Sequence, residues 1–231
     1  AGVAGLGSSL HFLLAAALFS MLCLPFATIK WTSERTVSHG GAPLFNLPRG
    51  MLILVGLVGF CTTIGEGGMV DWSATFLIEV TQVSEARAAL GFTAFSVLMV
   101  VTRLLGDRVI AALGPVLVTR LSGGIAALAG VLAVVARTYW MSLLGFALMG
   151  IGYATIIPMA FSRAAREDGV SAGQAIASVA TLGYGGLLLG PPIIGGLAEL
   201  TSIRLAFGLL IVLAVLMSLI AGAMRPSIPK D

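Results

Sequence analysis

An acid embedded in an apolar run is the feature of this sequence with the most chemistry to offer. Glu66 lies in Gly65-Glu66-Gly67-Gly68-Met69-Val70-Asp71-Trp72-Ser73, among three glycines. A carboxyl group at membrane depth costs several kcal/mol unless it is protonated, paired or hydrated, so Glu66 is a candidate for carrying a proton or binding a polar solute. The glycines point the same way, because irregular backbone in a bilayer is tolerated only where it is buried or lines water. Asp71 is a second candidate for coupling or substrate binding, and Trp72 a candidate cavity-lining residue. Simpler roles compete: a hydrogen bond to a neighbouring helix for Glu66, a solvated helix end for Asp71, and a place in the interfacial aromatic belt for Trp72.

Arg103-Leu104-Leu105-Gly106-Asp107-Arg108, followed by Gly114-Pro115 and Arg120, is a second cluster. Gly106 permits a tight turn, Asp107 can cap a helix N-terminus, and the arginines can latch onto carboxylates or helix C-termini. Arg103, Gly106, Asp107, Arg108 and Gly114 are therefore candidates for a gate at a cytoplasmic joint, set against ordinary basic decoration of such joints. A third stretch runs from Gly183-Tyr184-Gly185-Gly186 to Gly190-Pro191-Pro192 and Gly195-Gly196. It mixes small residues that allow close helix packing with prolines that open backbone carbonyls, and Gly190, Pro191 and Pro192 are expected to break the helix. Tyr184, and Tyr153 beside Gly150 and Gly152, each place a hydroxyl that needs a polar partner or a cavity. Thr62 and Thr63 are further lining candidates that can also bond back to their own helix.

No enzyme constellation emerges: nucleophiles, bases and acids do not converge, no phosphate or dinucleotide motif is present, and His11 and His39 are isolated. No cofactor or metal is expected. Cys23 and Cys61 both fall in apolar segments and read as small core residues.

The chain that must position these groups has 231 residues, 58% hydrophobic and only 10% charged, against about 45–50% and about 25% in soluble domains. So little polar surface cannot cover a soluble protein of this length, and most of the exterior must face lipid. A net charge of +3 would invite nucleic acid on a soluble surface. Here the basic residues sit in the joints between apolar runs, so nucleic acid is not an expected partner. Seven stretches reach the roughly 20 apolar residues a span needs: 8–28, 50–70, 87–105, 115–136, 139–161, 173–198 and 203–224. Glu66 then lies about 24 Å past Gly50, in the outer third, with Asp71 and Trp72 at the outer interface.

Placing joint 29–49 inside puts Lys30, Arg35, Arg49, Arg103, Arg108, Arg120, Arg163, Arg166, Arg225 and Lys230 at inner ends. Only Arg87, Arg137 and Arg204 are left outside, so the C-terminus is expected in the cytoplasm. The expected organisation is all α-helical: a span over 1–28, a turn-rich cytoplasmic linker over 29–49 and a six-span bundle over 50–231. A 3+3 arrangement of those spans is compatible with the sequence, although no repeat is visible in it. Ala1 to Gly7 read as the tail of a helix that starts earlier, so the chain is expected to be a fragment.

These motifs resemble a known family. Arg103 to Arg108 followed by Gly114 is similar to the inter-helix signature of the major facilitator superfamily, with the second glycine displaced to Gly114 and Pro115 where a basic pair commonly follows. Glu66 to Ser73 and Gly183 to Pro192 look like a bacterial subgroup sometimes compared with sugar permeases. The resemblance covers nearly the whole chain, from the end of helix five through helix twelve. It implies two six-helix halves joined by a cytoplasmic loop, forming a secondary transporter of the bacterial inner membrane that moves a small polar solute by alternating access. Proton coupling through Glu66 is the expected energy source. The second, third, fifth and sixth spans would line the cavity, and the partners would be lipid, substrate and the missing N-terminal half. A non-transporting scaffold or receptor is the competing class, which would need neither a membrane-embedded acid nor a Gly-Asp-Arg latch.

Overall fold

The computed structural model describes residues 8–27 and 48–226. Among them the regular structure is helical: α1 (Ser8–Ala27), α2 (Met51–Thr81), α3 (Glu85–Leu113), α4 (Pro115–Val135), α5 (Tyr139–Tyr153), α6 (Ile156–Ala164), α7 (Ala172–Leu200), α8 (Ile203–Ala206) and α9 (Gly208–Leu219). A 3-10 turn at Ile220–Met224 follows α9. The chain divides into two compact units, residues 1–42 and 43–231. The first holds α1, where Cys23 is exposed. Most of the linker expected over 29–49, His39 included, lies outside the described residues, and His11 is described only as part of the α1 backbone.

In the second unit six helices are long and apolar enough to cross a membrane: α2, α3, α4, α5 with α6, α7, and α8 with α9 and its closing turn. Local chemistry sets their ends. Gly114, at φ 76°, allows the one-residue reversal from α3 into α4, and Pro115 opens α4 where no N–H is needed. Side-chain oxygens of Thr138, Ser171 and Ser202 accept from the backbone N–H groups of Met141, Gln174 and Leu205, capping α5, α7 and α8.

Lipid tails are as apolar as leucine, so helices in a bilayer associate chiefly by packing, and small residues let them pack closely. α2 and α7 run side by side in the same direction: Gly56 meets Leu182, Gly59 meets Gly183, Gly186 lies against Phe60 and Thr63, Gly190 against Ile64, and Gly195 against the Trp72 ring. α3 and α5 form a second parallel pair, with Gly91 against Phe146 and Gly150 against the Phe95 backbone. α5 packs antiparallel on α4 through Gly145 and Gly152, and α4 packs antiparallel on α9 through Gly123 and Gly130. Exchanging the first three spans for the last three carries these pairs onto one another: α2 with α7 becomes α5 with α3, α4 with α5 becomes α9 with α2, and α4 with α9 maps onto itself. Phe76, Phe146 and Phe207 fill the interior, their ring centroids 4.6, 5.4 and 5.9 Å apart.

Two helices outrun their apolar stretches. α2 continues past residue 70 to Thr81, ending where Gln82 turns left-handed at φ 53°, because Ser73, Phe76 and Leu77 go on packing inside the bundle. Glu66 is therefore at the middle of a 31-residue helix, and Asp71 and Trp72 lie within that helix, ten and nine residues before its end. α3 runs on to Leu113, so Arg103, Gly106, Asp107 and Arg108 are all helical and no turn forms at Gly106. α7 is continuous through Gly190, Pro191 and Pro192. Gly190 lets it press onto Ile64, and the Leu187 carbonyl, deprived of its helical donor by Pro191, lies against Gly67 of α2. The break falls elsewhere, between α5 and α6. Arg103 leaves the count of basic residues at helix ends, and Lys30, Arg35 and Lys230 lie outside the described residues. Arg49, Arg108, Arg120, Arg163, Arg166 and Arg225 remain toward one end of the bundle, and Arg87, Arg137 and Arg204 toward the other.

The glycine seams predict a contrast between two substitutions on the same helix. A Cβ at Gly186 would enter space held by the Phe60 carbonyl and Thr63, whereas nothing stands within 4 Å of one at Gly196. Gly186→Ala should destabilise the bundle by about 1–3 kcal/mol, the usual cost of overpacking. Gly196→Ala should leave it unchanged or slightly more stable. Thermal unfolding of the two purified variants in one detergent checks this, and equal melting temperatures would refute the seam.

Candidate functional site

Pro158 is where the site begins. A proline inside a helix lacks the N–H that would bond the carbonyl four residues earlier, and its ring collides with that carbonyl. Here the carbonyl belongs to Ala154, and the fourth span of the bundle breaks at Ala154–Thr155 into α5 and α6. Inside a bilayer that oxygen needs a donor from elsewhere in the protein. Arg103 of α3 supplies it, its Nε donating to the Ala154 carbonyl at 2.9 Å. One turn along α3, Gly106 is buried against Thr155, where an added Cβ would stand 2.8 Å from the threonine methyl. A spacing of three puts both residues on one side of α3, so Arg103 and Gly106 together cradle the break.

The same guanidinium faces Glu66 of α2. Nη2 lies 3.6 Å from Oε1, close enough for Coulombic attraction and too far for a hydrogen bond. Two clusters that are far apart in sequence are thus one site. The Glu66 side chain is 20% exposed and that of Arg103 45%, so the pair sits at the edge of the bundle and opens to one side. Glu66 Oε1 has no hydrogen-bond partner among the described residues, and neither do the buried hydroxyls of Tyr153 and Ser73. Gly65 leaves the space that the Tyr153 ring occupies, which brings that hydroxyl beside the turn carrying Glu66.

α3 supplies the rest of the open side. Thr93, Ser96, Arg103 and Asp107 recur at spacings of three, seven and four, on one stripe of partly or fully exposed residues that also carries Val100. Leu90, Val97, Val101 and Leu104 make a separate exposed stripe that is wholly apolar. One exposed face of α3 suits hydrocarbon, and the other, with a cation and an acid on it, suits water or protein. Tyr184 is 54% exposed, on a face of α7 that forms a shallow hollow with Ala177, Thr181 and Leu188. Asp107 borders a cavity of about 240 Å³ at the arginine-rich end, whose walls include Ser162, Arg163 and Arg166. Arg163 is nearly buried there, its Nε donating to the Arg225 carbonyl at 2.6 Å and its guanidinium pairing with Glu167.

Several residues expected to line a cavity tie helices together instead. Thr62 is buried, donating to the Val58 carbonyl at 3.1 Å and touching the Met217 sulfur of α9. Thr63 is buried too, its hydroxyl donating to the Gly183 carbonyl of α7 at 2.5 Å. Trp72 donates from Nε1 to the Pro191 carbonyl at 3.1 Å, across the same seam. Tyr153 lies wholly inside the bundle. Asp71 is exposed on α2. Sequence reasoning passed over Pro158, whose signal was available: a proline within the apolar stretch 139–161, four residues after Ala154.

Comparison with known proteins accords with this architecture. The sequence matches the Major Facilitator Superfamily over residues 55–231. It is 41% identical over 215 residues to an uncharacterised transporter, y4wD, of Sinorhizobium fredii, covering 93% of this chain and 57% of that protein. It is 36% identical over 188 residues to an uncharacterised MFS-type transporter of Yersinia pestis, covering 81% and 48%. The membrane protein MosC of Rhizobium meliloti is 38% identical over 164 residues, covering 71% and 40%. The chain therefore spans about half the length of the relatives it matches. Its fold is similar to that of FucP, a major facilitator superfamily transporter crystallised in the outward conformation, with a TM-score of 0.68 at 16% identity over 94% of this chain and 54% of that one. By its match over most of its length, with six membrane-capable helices in a single bundle, the chain belongs to the major facilitator superfamily of membrane transporters.

Proposed function

We propose that the chain is the C-terminal half of a secondary transporter that moves a small polar solute by alternating access, driven by protons, in a bacterial inner membrane. The reading is of a transporter and not an enzyme. α1 would be the last helix of the N-terminal half, residues 29–49 the cytoplasmic linker, and 50–231 the second bundle. A chain about half as long as its relatives supports that division. The surplus of arginines at the end where α2 begins and the closing turn finishes supports a cytoplasmic C-terminus.

The observation that carries the coupling role is the Glu66–Arg103 pair. It joins the middle of α2 to α3 at a partly open edge, with a carboxylate oxygen to which none of the described residues donates. Such a carboxyl can take up a proton when the cavity admits water from one side and release it to the other. Protonation cancels its attraction for Arg103, so the charge state of one residue alters a contact between two helices. Asp71, along the same helix, would face solute entering from the outer side, and Tyr184 would line the opposite wall. Asp107, Arg108 and Gly114, toward the arginine-rich end, would meet the N-terminal half and hold one access state.

Uptake of a solute panel into vesicles, with and without a proton gradient, tests the reading. The chain co-expressed with its N-terminal half should accumulate solute, and the chain alone should not. Uptake by the chain alone would overturn the division into halves, and no gradient-driven accumulation of any solute by the co-expressed pair would favour a scaffold or receptor. In the active pair Glu66→Gln keeps side-chain size and loses titration, so accumulation should stop responding to the gradient. Unchanged uptake and an unchanged pH profile would remove Glu66 from the mechanism. Asp107→Asn should shift the inward/outward balance with little effect on folding, and spin-label distances between the halves that do not move would remove the latch.

A further inference from the structure

Arg103 has two tasks at one place. Its Nε holds the carbonyl that Pro158 orphans at the α5–α6 break, 2.9 Å away, while its Nη2 is drawn to Glu66 across the bundle edge at 3.6 Å. The guanidinium is planar and rigid, so these two contacts fix its position jointly: the ion pair helps to hold the fork where Nε can reach the carbonyl. Around Glu66 the charged neighbour is Arg103 from α3. Tyr153 comes from α5 beside Gly65, and Cys61 lies on α2 itself, near Tyr153. The α7 residues opposite this part of α2, Leu187, Gly190, Pro191 and Ile194, carry no ionisable group. Met217 of α9, against Thr62, carries none either.

We propose that Arg103 is a positioning residue that ties the charge on Glu66 to the geometry of the break at Ala154–Thr155. While Glu66 is ionised, Arg103 is held over the Ala154 carbonyl and the break is pinned. When Glu66 is neutral, or a bound group draws the guanidinium away, the hold on Nε is lost. The carbonyl then has neither its helical donor nor its side-chain donor, and the two segments of the span change their relative angle. Gly106, which admits the Thr155 methyl at the same break, brings the next residue of that turn against α3, so a change at residue 154 is felt at residue 155 as well. The proposal rests on the Glu66 reading above and adds to it the element that the charge moves.

The test uses the chain with its N-terminal half in liposomes, without substrate or gradient. Spin labels at exposed Leu144 on α5 and Ser162 on α6 report the angle across the break. Glu66→Gln should shift that distance by about 1–2 Å or more, the scale of helix movements in switching proteins. Pro158→Ala restores an N–H to the Ala154 carbonyl, so the shift caused by Glu66→Gln should vanish in that background. Arg103→Gln alone should reproduce the shift. Arg103→Lys, whose single ammonium cannot serve both partners, should reproduce it too, and folding of each variant is checked by its elution as a single species. A shift of equal size with Pro158 or Ala at that position, or no shift in either background, would overturn the proposal. Because this measurement needs no transport, its failure would leave the uptake result on Glu66 standing, and a failed uptake test would leave the Arg103 contact to be judged on its own.

Discussion

A backbone carbonyl inside a bilayer has no water to turn to, and in this bundle one such oxygen governs the site. Pro158 takes away the helical donor of Ala154, and the replacement has to come from another helix. An arginine is well suited to reach it, because its fork of N–H groups can serve a carbonyl with one edge and face an anion with another. An arginine at membrane depth then calls for a counter-charge, and Glu66 stands where it can provide one. The proline in the fourth span, the cation in the second and the acid in the first answer one another, although none is near the others in sequence.

Close approach of the helices is what makes those distances possible. Glycines along α2 and α7 let two helices run in register, and Gly91 and Gly150 do the same for α3 and α5. Without a Cβ at Gly106 the break at Thr155 can nestle against α3, and without one at Gly65 the Tyr153 ring can pass under α2. The interior hydroxyls of Thr62 and Thr63 then act as cross-ties, leaving the polar side of α3 as the face on which charge remains uncovered.

Much of this was legible in the sequence. Apolar runs of sufficient length located every span of the bundle, the scarcity of charge excluded a soluble fold, and Glu66 stood out because acids are costly in lipid. The helices run past those stretches for a physical reason: hydropathy marks the stretch that tolerates hydrocarbon, whereas α2 and α3 continue for as long as their backbone bonds and packing persist. Arg103 and Gly106 were read as a loop motif because they lie near the end of an apolar run. In the structure they are helical residues of α3 whose partners come from other helices. Pro191 and Pro192 drew attention that belonged to Pro158. A proline's effect depends on whether its neighbours can steady the turn, as α2 does for α7, and a sequence does not display neighbours.

The order of the three partners along the chain has a consequence for biosynthesis. Glu66 leaves the ribosome first, Arg103 follows one helix later, and the Ala154 carbonyl appears only after two further helices, α4 and α5, have been made. At roughly 5–20 residues per second, α2 waits seconds at the translocation channel with an unmatched acid, and α3 then arrives with a cation that α2 can neutralise. The two helices have reason to enter the bilayer as a hairpin, each lowering the other's insertion cost, while the proline-broken span joins a pair already assembled. The acid–arginine contact would thus serve the nascent chain before it serves the finished protein.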